Sequence, residues 1–157
     1  MDLQKIICDG SMDDLASVIV KNGVNVKGHE GWSLLAYAAF YGDEKKVDFL
    51  LKNGANPNIQ DDYGYTPLMQ TVEGNHARIA QRLLDAGANY KLKNDLGWTA
   101  ETCACILCAE AVRQTVHSHR KQQAFWEEMR RRQKRIVSSF WRRKIFPKNY
   151  NDYGRGY

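Results

Sequence analysis

Residues 64–93, GYTPLMQTVEGNHARIAQRLLDAGANYKLK, decide how this chain folds. Thr66 stands where a hydroxyl can cap the first free amides of a helix, and Pro67 follows at the one helical position where a missing amide hydrogen costs nothing. A first short helix is therefore expected over 66–73. Asn75, one of the residue types that tolerate a left-handed backbone, marks the turn after it. A second helix, 76–86, carries the pair Leu83 and Leu84 and closes at Gly87 as a left-handed C-cap. The polar stretch 88–96 then runs on as an extended, hairpin-like finger.

Working outward, the same unit recurs at a period of 33 residues. Gly31-Trp32-Ser33, Gly64-Tyr65-Thr66 and Gly97-Trp98-Thr99 share one pattern, and Leu50-Leu51 with Gly54-Ala55-Asn56 returns as Leu83-Leu84 with Gly87-Ala88-Asn89. A fixed period of this length is the signature of stacked supersecondary units that bury their apolar faces against one another. The expected first helices are 33–40, 66–73 and 99–106, and the second helices 43–53 and 76–86, with Gly42 in the turn position of Asn75. Leu50, Leu51, Leu83 and Leu84 are the expected core between units.

These motifs resemble the ankyrin repeat: a Thr-Pro-Leu start, a paired-Leu second helix and a Gly-Ala-Asn close. Residues 28–93 would hold two full repeats. Residues 1–27 resemble an N-terminal capping repeat through Leu15, Val18, Ile19 and Asn22-Gly23, and 94 to about 118 a divergent final one. The resemblance implies an all-α ankyrin-like solenoid of helix-turn-helix repeats over 1–118. The family's His after the Thr-Pro-Leu start is replaced by Ala36, Met69 and Thr102, which predicts weaker bonding between repeats, and the first finger is two residues shorter than the second.

The resemblance further implies that partners meet the concave face. Its residues here would be His29, Glu30, Trp32, Phe40 and Tyr41, then Asp62, Tyr63, Tyr65, Glu73 and Gly74, then Asp95, Leu96, Trp98, Ile106 and Leu107. Trp32, Phe40, Tyr41, Tyr63, Tyr65 and Trp98, with Asp62 and Asp95, are the candidate partner contacts, because large rigid aromatics are common interface anchors. The competing role for Trp32, Tyr65 and Trp98 is packing between fingers.

The charge is divided along the chain. Residues 1–119 hold 11 Lys/Arg against 15 Asp/Glu, net −4, and residues 120–157 hold 12 against 3, net +9. From Trp98 to Phe146 there is neither Gly nor Pro, so a long basic amphipathic helix is expected from about 109 to 145, forming an arm over 119–146 before a disordered tail at 147–157. The candidate basic residues of the arm are Arg130, Arg131, Arg132, Lys134, Arg135, Arg142, Arg143 and Lys144, with Trp141 beside them. Such a helix suits the end of the solenoid, a nuclear-import receptor, a calmodulin-like groove, an anionic surface or a nucleic acid.

Other readings are weaker. Cys103, Cys105 and Cys108 with His117 and His119 offer soft metal ligands, but residues two apart on a helix face different sides, so Cys103 and Cys105 are expected to pack as small apolar groups and no metal is expected. Asp61-Asp62 is the tightest carboxylate pair and reads as turn chemistry. With no phosphate-cradling loop or nucleophile elbow, neither a cofactor nor catalysis is expected. The first twenty residues do not read as a secretory signal, no stretch nears the roughly 20 apolar residues of a membrane span, and the clustered cysteines suggest a reducing compartment, cytoplasmic or nuclear. The functional expectation is a protein-protein interaction adaptor; the alternative is nucleic-acid or anionic-surface binding through the arm, with the repeats as scaffold.

Overall fold

A computed structural model describes residues 2–107 and 109–145, with side chains through Arg132. The helices are α1 (Leu3–Cys8), α2 (Met12–Asn22), α3 (Leu34–Tyr41), α4 (Glu44–Lys52), α5 (Pro67–Gln70), α6 (Ala77–Asp85), α7 (Ala100–Ile106) and α8 (Glu110–Ile145). Among the described residues the one β feature is an isolated bridge between Lys27 and Ser33. The fold is thus an all-α solenoid with a long C-terminal helix. The chain divides into two compact units, one running through His119 and the other from Arg120.

Local chemistry starts each helix. Ser33, Thr66 and Thr99 cap α3, α5 and α7, accepting from the amides of Ala36 (3.1 Å), Met69 (3.3 Å) and Thr102 (3.3 Å). Ser11 and Asp14 form a reciprocal capping box on α2, and the Ser11 amide and hydroxyl hold the Asp14 carboxyl below its ordinary value. The turns after α3 and before α6 need a left-handed residue; Gly42 (φ 76°) and Asn75 (φ 52°) supply it.

Packing then joins the units. First helices stack in the order α1, α3, α5, α7, while α4 stacks on α6. The core holds Leu34, Leu35, Val47, Leu50, Leu68, Ile79 and Leu83, and Val112 and Val116 of α8 are buried too. Leu51 is a correction: it is only half-buried, because the adjacent Leu50 takes the inward side of α4 and Leu51 stands about a third of a turn around the helix from it. The first helix expected over 66–73 ends at Gln70. There the Thr71 hydroxyl bonds back to the Leu68 carbonyl at 2.7 Å, and the Val72 amide takes the Met69 carbonyl, tightening the chain into turns.

Fingers carry the bonds between repeats. The Asn56 amide donates to Asn25 Oδ1 at 2.9 Å, and 33 residues later the Asn89 amide donates to Asn58 Oδ1 at 2.7 Å. Lys27 Nζ reaches the Gln60 carbonyl at 2.8 Å, and Gln60 Nε2 reaches the Lys93 carbonyl at 2.9 Å. Backbone rungs from the Asp62 amide to the Glu30 carbonyl and from the Asp95 amide to the Tyr63 carbonyl complete the ladder. On the helices, Arg82 Nη1 binds Asp48 at 2.6 Å and its Nη2 binds Glu44 at 3.0 Å, tying α6 to α4.

Candidate functional site

The aromatic residues after Gly64 and Gly97 are set by side-chain brackets across the tight turns 61–65 and 94–98. Asp61 Oδ1 accepts from the amides of Tyr63 (3.0 Å) and Tyr65 (2.8 Å), and Oδ2 accepts from Gln70 Nε2 at 3.2 Å. Asn94 repeats the bracket, taking the amides of Leu96 (3.1 Å) and Trp98 (2.9 Å). Burial pushes the Asp61 carboxyl above its ordinary value, and neighbouring Asp62 adds to this, while the bonds from Tyr65, Tyr63 and Gln70 oppose it. In the first full repeat Gly28 stands at the bracket position, and a 3-10 turn, His29–Gly31, takes over.

Asp62 and Asp95 lie against the preceding finger. A Cβ on Gly31 would come within 2.3 Å of Asp62 Oδ1, and one on Gly64 within 3.0 Å of Asp95 Oδ1 and 2.9 Å of the Asn94 backbone. Glycine is required for that approach. Both aspartates remain exposed.

The candidate contacts fall into two groups. Trp32 stacks on Tyr37 (ring centroids 4.9 Å) and Phe40 (5.4 Å), Phe40 meets Tyr41 at 5.1 Å, and the Tyr41 hydroxyl accepts from Gln4 Nε2 at 2.6 Å. Tyr37, buried against Trp32 with its phenol pushed up by that burial, escaped the sequence reading. Tyr65 and Trp98, both half-buried, instead line a groove of about 170 Å³ with Met69, Glu73, Ile106 and Leu107. Tyr63 and Leu96 stand exposed at the finger tips, 54% and 62% accessible, beyond the packing that holds Tyr65 and Trp98.

The cysteine cluster separates. Cys103 is buried, its thiol pushed up by burial, but Cys105 is exposed, which corrects its expected packing role: α7 turns that side outward. Cys108 lies outside the described residues. His117 Nδ1 sits 3.3 Å from Glu101 Oε1, and no group of three His, Cys, Asp or Glu among the described residues is placed to hold a metal ion.

On the arm, Arg130, Arg131 and Arg132 are exposed, with Arg132 Nε 3.2 Å from Glu128. Phe125 and Trp126, rings 5.6 Å apart, and Met129 are exposed as well. Lys134, Arg135, Trp141, Arg142, Arg143 and Lys144 lie on the backbone of α8, but their side chains are outside the described residues, as is all of 147–157. No helix among the described residues is long and apolar enough to cross a membrane.

The family model for ankyrin repeats, in three copies, matches residues 35–122. Over 70 residues the chain is 40% identical to the ankyrin repeat protein YahD of Escherichia coli, covering 41% of this chain and 35% of that protein. It is 42% identical over 60 residues to an ankyrin repeat protein of Rickettsia felis, covering 35% of this chain and 26% of that one. An ADP-ribosylation factor GTPase-activating protein of Arabidopsis thaliana, AGD4, shares 37% identity over 68 residues, 43% of this chain and 9% of its own length. The match thus spans about a third or less of each of these relatives.

Proposed function

The chain belongs to the ankyrin-repeat family, whose repeats generally mediate protein-protein interaction, and we propose that it is a non-catalytic adaptor of the intracellular space. In this reading the repeat domain, 1–118, presents Trp32, Phe40, Tyr41, Asp62, Tyr63, Tyr65, Asp95 and Trp98 to a protein partner. The arm, 119–146, docks to a second component. The observation that carries the reading is the groove between Tyr65 and Trp98: two half-buried aromatics from successive fingers face one space, and exposed Ile106 and Leu107 extend its apolar wall. Exposed apolar surface rimmed by polar groups is characteristic of interaction sites.

Comparing partner capture by the full chain and its Tyr65→Ala variant tests this. The variant is expected to lose most of the captured partner, by about 2 kcal/mol as for a central interface aromatic, with a small change in melting temperature. Normal capture with a lowered melting temperature would make Tyr65 a packing residue.

A second reading rests on the arm: exposed Arg130, Arg131 and Arg132 beside exposed Phe125 and Trp126 are the groups that hold phosphates and stack on bases. Salt separates the two. Phosphate binding weakens steeply between 50 and about 200 mM salt, whereas an aromatic groove responds little.

A further inference from the structure

One substitution sets the groove apart from the same place one repeat earlier. Asp61 Oδ2 meets Gln70 Nε2, but 33 residues on, Cys103 stands in the place of Gln70 and lines the groove. Asn94 uses Oδ1 for the amides of Leu96 and Trp98, which leaves its Nδ2 in the role that Asp61 Oδ2 fills against Gln70. Asn94 is 5% exposed, and that Nδ2 has no hydrogen-bond partner among the described residues. Buried donors are nearly always paired, and Cys103, standing where Gln70 stands one repeat earlier, gives this one no partner while leaving open the space that a longer side chain would fill.

Size and charge narrow that ligand. Cofactor and drug-sized sites run from about 300 to 1,000 Å³. At about 170 Å³ this groove suits a single large side chain. Its walls, Tyr65, Met69, Trp98, Cys103, Ile106 and Leu107, are mainly apolar, with Gln70 the polar and Glu73 the charged residue in the lining. Exposed Asp62 and Asp95 sit within three residues of Tyr65 and Trp98. Of the finger lysines, Lys91 lies over the Tyr90 ring at 5.6 Å and Lys27 is held on the Gln60 carbonyl, while Lys93 is exposed beside Asp95. Carboxylates and aromatic faces together favour cations.

Resting on the reading of this face as the partner surface, we propose that the groove takes one Leu-, Ile- or Phe-sized side chain from a Lys/Arg-rich segment of a partner protein. Cys103→Gln tests it within the chain's own design, because it copies the Gln70 arrangement: the carboxamide would satisfy Asn94 and fill the anchor space.

The probes are labelled nine-residue peptides read by fluorescence anisotropy against the full chain. One has Lys, Arg and Ser around a central Leu, one has Ser in place of that Leu, and one has Asp and Glu for the basic residues. The Leu-centred basic peptide is expected to bind about tenfold or more tighter than the Ser-centred one, as for a buried anchor. Cys103→Gln should lose about as much while its melting temperature holds or rises, and Glu73→Lys should weaken the basic peptides while leaving the fold intact. Equal binding of Leu- and Ser-centred peptides, or unchanged binding by Cys103→Gln, overturns the inference. Tighter binding of the acidic peptide, still lost in Tyr65→Ala, overturns the basic partner and keeps the concave face. Peptide binding that neither Cys103→Gln nor Tyr65→Ala disturbs removes both readings.

Discussion

The side-chain carbonyl of Asn75 accepts a hydrogen bond from the amide of Val112 at 3.2 Å, joining the turn of one repeat to the first turn of α8 across 37 residues. Asn75 therefore does two things: it adopts the left-handed turn and caps a helix in the next repeat. Gly42 does only the first, and its open side is covered by the His76 ring.

Separating the two tasks gives a graded series. Asn75→Gly keeps the easy turn and loses the cap, so it should cost about 1 kcal/mol; Asn75→Ala loses both and should cost about 1–2 kcal/mol more. Urea unfolding gives the totals, and hydrogen exchange at Val112 should quicken in both variants. Equal stability of the Gly and Ala variants would mean that the turn imposes no strain.

Leu83 and Leu51 sit in similar pairs with different burial, Leu83 fully buried and Leu51 half-exposed. Leu83→Ala should cost about 2–5 kcal/mol by denaturant unfolding, and Leu51→Ala distinctly less. Equal losses would show that Leu51 is as closed as its neighbour.

Asp61 should shape the pH dependence of stability. Its carboxyl is raised by burial, so the folded chain holds that proton more tightly than the unfolded chain does. The stabilisation is complete below the unfolded value and is lost as pH rises through the folded one. Asn94 shows that an amide can hold the same two finger amides, and the Gln70 carboxamide, turned over, would accept from the Nδ2 that replaces Oδ2. Asp61→Asn should therefore be more stable than the parent at pH 7, with the gap closing on acidification toward pH 4. Unfolding midpoints across that range check it; a less stable variant at pH 7 would show that the bonds to the ionised oxygens outweigh burial.

What was legible in the sequence was local or periodic. Ser33, Thr66 and Thr99 announce caps because a cap needs only a hydroxyl beside a helix start, and Trp32, Tyr65 and Trp98 announce a common position because the period does. What escaped depends on distant partners. Lys46 reads as a surface residue, yet it is buried in the position that Ile79 takes one repeat later, with Nζ donating to the Ile7 carbonyl of α1 and 3.5 Å from Asp43. Only the placement of α1 against the next repeat reveals that. The split of the aromatics followed from Tyr37, which draws Trp32 into the chain formed by Phe40 and Tyr41. The finger ladder escaped as well: its Asn25, Asn56, Asn58 and Asn89 recur at 33 but carry no sign in the sequence of whom they bond.

That ladder also fixes how the protein answers to force. Its rungs join each finger only to its neighbour, so tension along the stack falls on one junction at a time, the rungs sharing it with the helix packing and the Arg82 pairs. A repeat torn from its neighbour would release 33 residues, about 110 Å of contour at full extension. The fingers that hold Tyr65 and Trp98 would part at the Asp95 to Tyr63 rung, so a tethered partner could pull its own binding site open.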